Sequence, residues 1–494
     1  MKRRGIISAA LALVVVIAVA TFCIINYAAP THSPGDGKPF YVGVTYCGDS
    51  VSDAKLLVDR VANYTNLFVL QSGPFMAETS AVNEIGDYAV DKGLHFAMFY
   101  DTSQVPEWAT WMENATQRWG DMFGGVYYAD EPGGKILDTQ VTFILSTGNT
   151  IGKYSDGTIL NMTLNYPGRH TFYPNGTIIV YKSNFTVPAD GADFFAVASD
   201  ISYYPDGSVT IFDSVDKYID PLQTGGIEPI SKTFYTLQNG SDRIAQEETY
   251  KQVQSHNPIP NVEVAADLFI EKTSSPLNGF TGYWNLSSRP FPIFTSDYAL
   301  YWWGYNAGYD MMLAQLGWNN SVNQEIGLVR GAAALQQKDW GTMITWKYMH
   351  APYLGSGDEM YEQLKASYQA GATYTLIFNY AQDMSSPYGT LQDQHFDALQ
   401  RFWEEVVENP SIEHGSVRAE AAFVLPKDYG WGMRNQHDRV WGIWQPFENC
   451  SQVWSSLQSA LSKYGDRLDI VYEDPVYPVV AGNYSKIIYW NQTQ

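Results

Sequence analysis

Two adjacent carboxylates, Asp130 and Glu131, leave an apolar strand-like run behind Tyr127 and Tyr128, and Pro132 stiffens their exit. Carboxyl groups crowded this closely push at least one pKa upward, which is what a general acid working near neutral pH needs. The pair is therefore the first candidate for proton transfer. Ligand binding without turnover and a structural role are its alternatives. Chemistry of this kind takes a second carboxyl group, for which Asp297 stands first and Asp101 second, each at the end of another strand-like run. Asp297 is equally placed to cap a helix opening at Tyr298.

Aromatic residues crowd the same run ends: Tyr46, Tyr100, Tyr128, Trp318, Trp346, Tyr348 and Tyr380, with Asn379 among them. Ring faces suit the C–H faces of sugars, and a packed rim consumes aromatics too. Trp302 and Trp303 point different ways on a helix or a strand, so one of them is expected in the core. Other chemistries lack their residues. The eight histidines form no H-E-x-x-H, and there is no C-x-x-C, P-loop, G-x-G-x-x-G or G-x-S-x-G. Neither a metal nor another cofactor is expected.

The elements that must position these groups alternate. Strand-like runs at Phe40–Tyr46, Asn66–Leu70, Leu94–Tyr100 and Phe123–Ala129 are separated by helical patterns, a spacing of ~25–30 residues that marks right-handed βαβ units and a parallel sheet. An insertion at about 133–261 breaks the rhythm. It repeats Tyr-Ser-Asp-Gly-Thr-Ile (154–159), Tyr-Pro-Asn-Gly-Thr-Ile (173–178) and Tyr-Pro-Asp-Gly-Ser-Val (204–209), turn sequences that predict hairpins. Strand five is Val262–Ile270 or Pro292–Thr295. Met311–Gly317, Met343–Tyr348 and Tyr374–Asn379 complete eight strands, which close naturally into a (β/α)₈ TIM-type barrel over 40–409. An open doubly wound sheet is the alternative. Beyond Pro410, residues 410–494 read as a small α/β domain.

With the strands in place, Asp130-Glu131-Pro132 closes strand four. There the chain resembles the large superfamily of (β/α)₈ glycoside hydrolases, in which Asn-Glu-Pro at that point carries the acid/base glutamate. The resemblance implies Glu131 as acid/base, with Asp130 standing where the family has asparagine. A barrel followed by a small α/β domain also looks like the β-galactosidase-type enzymes of that superfamily. The aromatic-rich stretch from Phe294 to Tyr380 is similar to archaeal surface proteins with no assigned activity. In the superfamily the nucleophile is a glutamate ending strand seven, whereas Thr345-Trp346-Lys347-Tyr348-Met349-His350 holds no carboxylate. Asp358 and Glu359 follow at a helix start, where acids favour the macrodipole. The resemblance thus implies a glycoside hydrolase-like protein, or a carbohydrate-binding or surface-structural protein on the same barrel. A carboxyl separation of ~5–5.5 Å would mark retention, and ~6.5–9.5 Å inversion.

The compartment is read from the start of the chain. Lys2, Arg3 and Arg4 precede an uncharged apolar run from Ile6 to Ile25, long enough at ~1.5 Å per residue for a ~30 Å hydrocarbon core. Residues 1–29 are expected to anchor the chain in a membrane and 30–39 to form a stalk, with the bulk extracytoplasmic. A cleaved signal peptide is the alternative. Eleven N-x-Ser/Thr sequons, from Asn63 to Asn491, point the same way. With 52 acidic against 30 basic residues the surface opposes nucleic acid, which leaves carbohydrate as the expected partner. Three cysteines are too few for a disulfide framework, and a Cys47–Cys450 bridge is left open.

Overall fold

The computed structural model describes residues 39–100, 105–138, 261–281, 291–318, 320–380, 386–408, 410, 412–442, 446–480 and 482–492, and the backbone of strands between 141 and 236. The anchor, nearly all of the stalk, and Asp101 lie outside the described residues. Among the described residues no helix is long and apolar enough to cross a membrane.

Eight strands form a closed, all-parallel barrel: β1 (Tyr41–Tyr46), β2 (Leu67–Leu70), β3 (His95–Tyr100), β4 (Phe123–Tyr128), β5 (Ile293–Asp297), β6 (Met311–Leu316), β7 (Asp339–Ile344) and β8 (Tyr374–Ile377). Each pairs with its sequence neighbours, and β1 returns to β8 with Tyr41 opposite Tyr374. Helices follow the strands: α1 (Val51–Val61), α2 (Thr79–Asp91), α3 (Val105–Trp119), α4 (Pro132–Asp138), α5 (Val262–Thr281), α6 (Tyr301–Ala307), α7 (Val322–Gln336), α8 (Gly357–Ala370) and α9 (Asp393–Phe402). Strand five is thus the later of the two alternatives, and the run from Val262 belongs to a 20-residue helix.

Two cores result from side chains alternating across each strand. Leu67, Val69, Ala97, Tyr127, Phe294, Met311, Leu313, Met343, Tyr374 and Leu376 fill the barrel. The residues between them face the helices and join a larger outer core. Burying each large apolar side chain contributes roughly 1.5–3 kcal/mol, so this double layer holds the barrel without crosslinks. Cys47 and Cys450 are free thiols. One irregularity matters for the site. Gly125, at φ +105°, sits where the β3–β4 register shifts between Phe96 and Ala97, and a Cβ there would lie 2.4 Å from the Pro292 carbonyl oxygen. The bulge restores the phase that places Tyr127 opposite Phe99, inside the barrel.

Between α4 and α5 the described backbone strands pair antiparallel in a sheet of nine strands. After the barrel, β9 (Ala421–Leu425), α10 (Cys450–Tyr464), β10 (Leu468–Tyr472) and β11 (Lys486–Tyr489) make a parallel sheet in the order β10-β9-β11. Strand β10 lies against α7, where Gly327 and Gly331 admit it: a Cβ on either would stand 2.7–2.8 Å from the carbonyl oxygens of Leu468 and Ile470. Trp302 and Trp303 are both buried, contrary to the expectation of one, because both sides of α6 are covered. Trp303 packs on Trp441 and Tyr472, and Trp302 on Tyr472 and Tyr477.

Behind this seam Glu325 is 1 % exposed and accepts a hydrogen bond from the Tyr301 hydroxyl at 2.7 Å. Burial pushes its carboxyl up to about 8, against the pull of that hydrogen bond; the charge of Asp297 adds to the rise and Arg434 opposes it. The folded chain therefore holds this proton more tightly than an unfolded one, whose glutamate titrates near ~4.3. The resulting stabilisation is complete below that value and is lost as pH rises through about 8. The thermal midpoint should fall between pH 5 and pH 9, and Glu325→Gln should flatten that slope. Identical slopes in both proteins would exclude Glu325 as the titrating group.

Candidate functional site at the barrel mouth

The turn after β4 carries the carboxylate pair in a costly backbone. Ala129 (φ +50°) and Glu131 (φ +51°) are both left-handed, on either side of Asp130. For residues with a Cβ this costs roughly 1–2 kcal/mol each, and such strain persists where the surroundings over-determine it. Here they do. The Ala129 N–H donates to the Tyr100 carbonyl at 2.9 Å, the Glu131 N–H to the Ser296 carbonyl at 3.1 Å, and Thr295 donates its hydroxyl to the Ala129 carbonyl. Lys135 Nζ donates to the Asp130 carbonyl oxygen at 2.6 Å.

The side chains join a network from three inward positions. Gln315, on β6, donates both N–H bonds of its amide: to Glu131 Oε1 at 2.8 Å and to Ser296 Oγ at 3.0 Å. Ser296 Oγ lies 2.6 Å from the Tyr127 hydroxyl and 3.3 Å from Asp130 Oδ1, to which Tyr127 also donates. Burial and the neighbouring Asp130 charge hold the Tyr127 phenol well above its ordinary value, so it stays a proton donor. Glu131 remains half-buried. The arrangement fixes both half-buried carboxyl groups, Glu131 through Gln315 and Asp130 through Tyr127 and Ser296.

Asp297 is placed differently. It is 1 % exposed, and its oxygens accept the backbone N–H groups of Gly133 (2.6 Å), Gly134 (2.8 Å), Tyr298 (2.8 Å) and Ala299 (3.3 Å). Burial pushes this carboxyl up to about 8, with the Gly133 N–H opposing and the Glu131 charge adding. Those donors favour the ionised form, and burial outweighs them. Asp297 thus caps the first turn of α4 from a neighbouring strand.

Alternation sorts the aromatic candidates. Tyr46, Tyr100 and Tyr128 lie out of phase with the barrel interior and are buried in the outer core. The Tyr46 hydroxyl donates to the Ser50 carbonyl at 2.8 Å, and Tyr100 stacks on Tyr128 with ring centroids 6.3 Å apart. These three pack against helices instead of lining the mouth. Asn379 is fully buried and accepts from the N–H and hydroxyl of Thr390 at 2.8 and 3.1 Å. The remaining four form a rim over β6–β8. Trp346 stacks on Tyr380 (6.0 Å, 9°) and donates Nε1–H to its carbonyl at 2.7 Å, with Trp318 edge-on at 6.2 Å. Trp318, Tyr348 and Tyr380 are 40 %, 45 % and 39 % exposed.

The exit of β7 carries no carboxylate. Asp358 and Glu359 sit in the first turn of α8, where Glu359 pairs with Lys347 at 2.8 Å. Sequence reasoning passed over Tyr127 and Gln71 as site residues. The signal was a polar group in phase with an apolar interior. Among the described residues no three His, Cys, Asp or Glu side chains converge as a metal site. A hollow of about 310 Å³ lies at the opposite end of the barrel, lined by Tyr41, Pro292, Asp310, Met311, Asp339 and Tyr374. A smaller one of about 60 Å³ lies beside Thr345, Lys347 and Glu359. Neither includes Glu131. No protein-family model matches the chain, and no curated protein matches it.

Proposed function

We propose that the barrel mouth is a carbohydrate site and that the protein is glycoside hydrolase-like, with Glu131 as general acid/base on a glycosidic bond. One observation carries the reading: two left-handed residues with side chains hold Asp130 and Glu131 at the C-terminal end of the barrel, where barrel enzymes place their reactive groups. Asp130 is the second carboxylate of the described mouth, and Asp101 the further candidate. The rim of exposed Trp318, Tyr348 and Tyr380 with half-buried Trp346 supplies ring faces for sugar C–H groups. In this reading the hairpin-rich insertion after β4 and the C-terminal α/β unit are accessory to the barrel. The N-terminal apolar run anchors the whole outside a membrane, where the sequons would carry glycans.

A second reading, binding without turnover, is favoured by the commitment of both Asp297 oxygens to backbone N–H groups. The test is an oligosaccharide panel screened for binding and for cleavage. Cleavage supports the hydrolase reading, and binding alone supports the second. A panel neither bound nor cut removes both.

A further inference from the structure

The hydrogen-bond network of the mouth occupies the β4–β6 side. Across the barrel, β1 and β2 end differently. Leu67 and Val69 point into the barrel, so Gln71 occupies the next inward position, and its N–H continues the ladder to the Tyr46 carbonyl at 2.9 Å. On β1 the same phase carries Thr45 and then Cys47, beside Gln71. The Cys47 thiol lies 3.6 Å from Thr45 Oγ1, and the Asp130 charge reaches it. Asp130 is held by Tyr127 and Ser296, and Glu131 is held toward β6 by Gln315.

Gln71 is 9 % exposed, and its Oε1 is buried without a hydrogen-bond partner among the described residues. Thr345 Oγ1, at the next inward position after Met343 on β7, is in the same condition. Buried acceptors are almost always satisfied, and an exception calls for a cause. Packing gives none. The layers beneath Gln71 are leucine and valine, and an apolar side chain would fill the position without a stranded oxygen.

We infer that Gln71 is a ligand-binding residue whose Oε1 accepts a hydroxyl proton from a polyhydroxylated molecule seated in the barrel mouth beside the exit of β2. The inference rests on the carbohydrate reading of the mouth and names the acceptor on the side opposite Glu131. An unpartnered amide makes a signed prediction that a structural amide does not: removing it should help folding and harm binding.

The test compares full-length wild type with Gln71→Met, which keeps the length of the side chain, and with Gln71→Leu. The probes are cello-, manno-, xylo- and chitopentaose. The expected result is a thermal midpoint equal to or above wild type, with affinity for the pentasaccharide that wild type binds reduced at least tenfold. If that sugar is cleaved, KM should rise while kcat holds. A lower midpoint with unchanged affinity in Gln71→Met would overturn the inference, and Gln71→Leu repeats the comparison should that variant fold poorly. Wild type that binds none of the four sugars removes the carbohydrate reading separately. The midpoint of Gln71→Met alone then decides: a rise supports an amide kept for a ligand, and a fall overturns it.

Discussion

Glutamine in place of Glu131 is expected to cut turnover of a cleaved oligosaccharide by about 10²- to 10⁴-fold, the range that a positioned acid or base contributes. The fold should barely register the change. The amide oxygen still accepts from Gln315 Nε2, and the left-handed backbone at φ +51° is the same for either side chain. What disappears is the proton that the carboxyl group exchanges with the leaving oxygen. The measurement is kcat and KM alongside the thermal midpoint. A large fall in kcat with the midpoint steady assigns the proton transfer to Glu131. Unchanged kcat removes that assignment. The Gln71 variants should err in the opposite parameter, which separates the two sides of the mouth.

The barrel was legible because its strands are short apolar runs at even spacing: β1, β4, β6 and β8 stand where those runs do, while β7 (Asp339–Ile344) begins four residues before the run expected at Met343–Tyr348. Strand five shows where that logic stops. Residues 262–270 include the β-branched Val262, Val264 and Ile270, yet they open a 20-residue helix. Glu263 and Asp267 stand four apart, a helical spacing, but one such pair in so short a run decides little, and the length of the surrounding element separates helix from strand. The seam between barrel and C-terminal unit was equally hidden. Nothing local in Trp302-Trp303 says that a second sheet will cover both.

For the site, the position of the carboxylate pair was readable and its geometry was not. Asp130 and Glu131 stand at a strand end by their place in the chain. The left-handed turn that holds them is stabilised by Tyr100, Thr295 and Ser296, two of them more than 160 residues away. Alanine and glutamate carry no mark of that conformation. Phase was the other obstacle. Strands buried on both faces are apolar throughout, so Tyr46, Tyr100 and Tyr128 looked no less inward than Thr45, Phe99 and Tyr127. The usable clue was rarer: Gln71, Ser296 and Gln315 are polar residues at the inward ends of apolar strands.

Arg330 offers the largest expected effect on stability. It is 7 % exposed on α7, and its guanidinium donates to Asp469 Oδ1 at 2.7 Å and to the Asp466 carbonyl at 2.8 Å. Asp469 also accepts from the Tyr484 hydroxyl at 2.9 Å, so one buried carboxylate ties α7 to β10 and to the approach of β11. Arg330→Ala strands that charge beside a single phenol and should destabilise the fold by about 3–5 kcal/mol, as removal of one partner from a buried pair does. The cause is separable from lost packing. Arg330→Met combined with Asp469→Leu removes both charges and keeps the volume, and should recover most of the loss. Equilibrium denaturation of the two variants checks this. If the double variant is as unstable as Arg330→Ala, the seam depends on packing, and the ion pair is incidental to how the C-terminal unit is held.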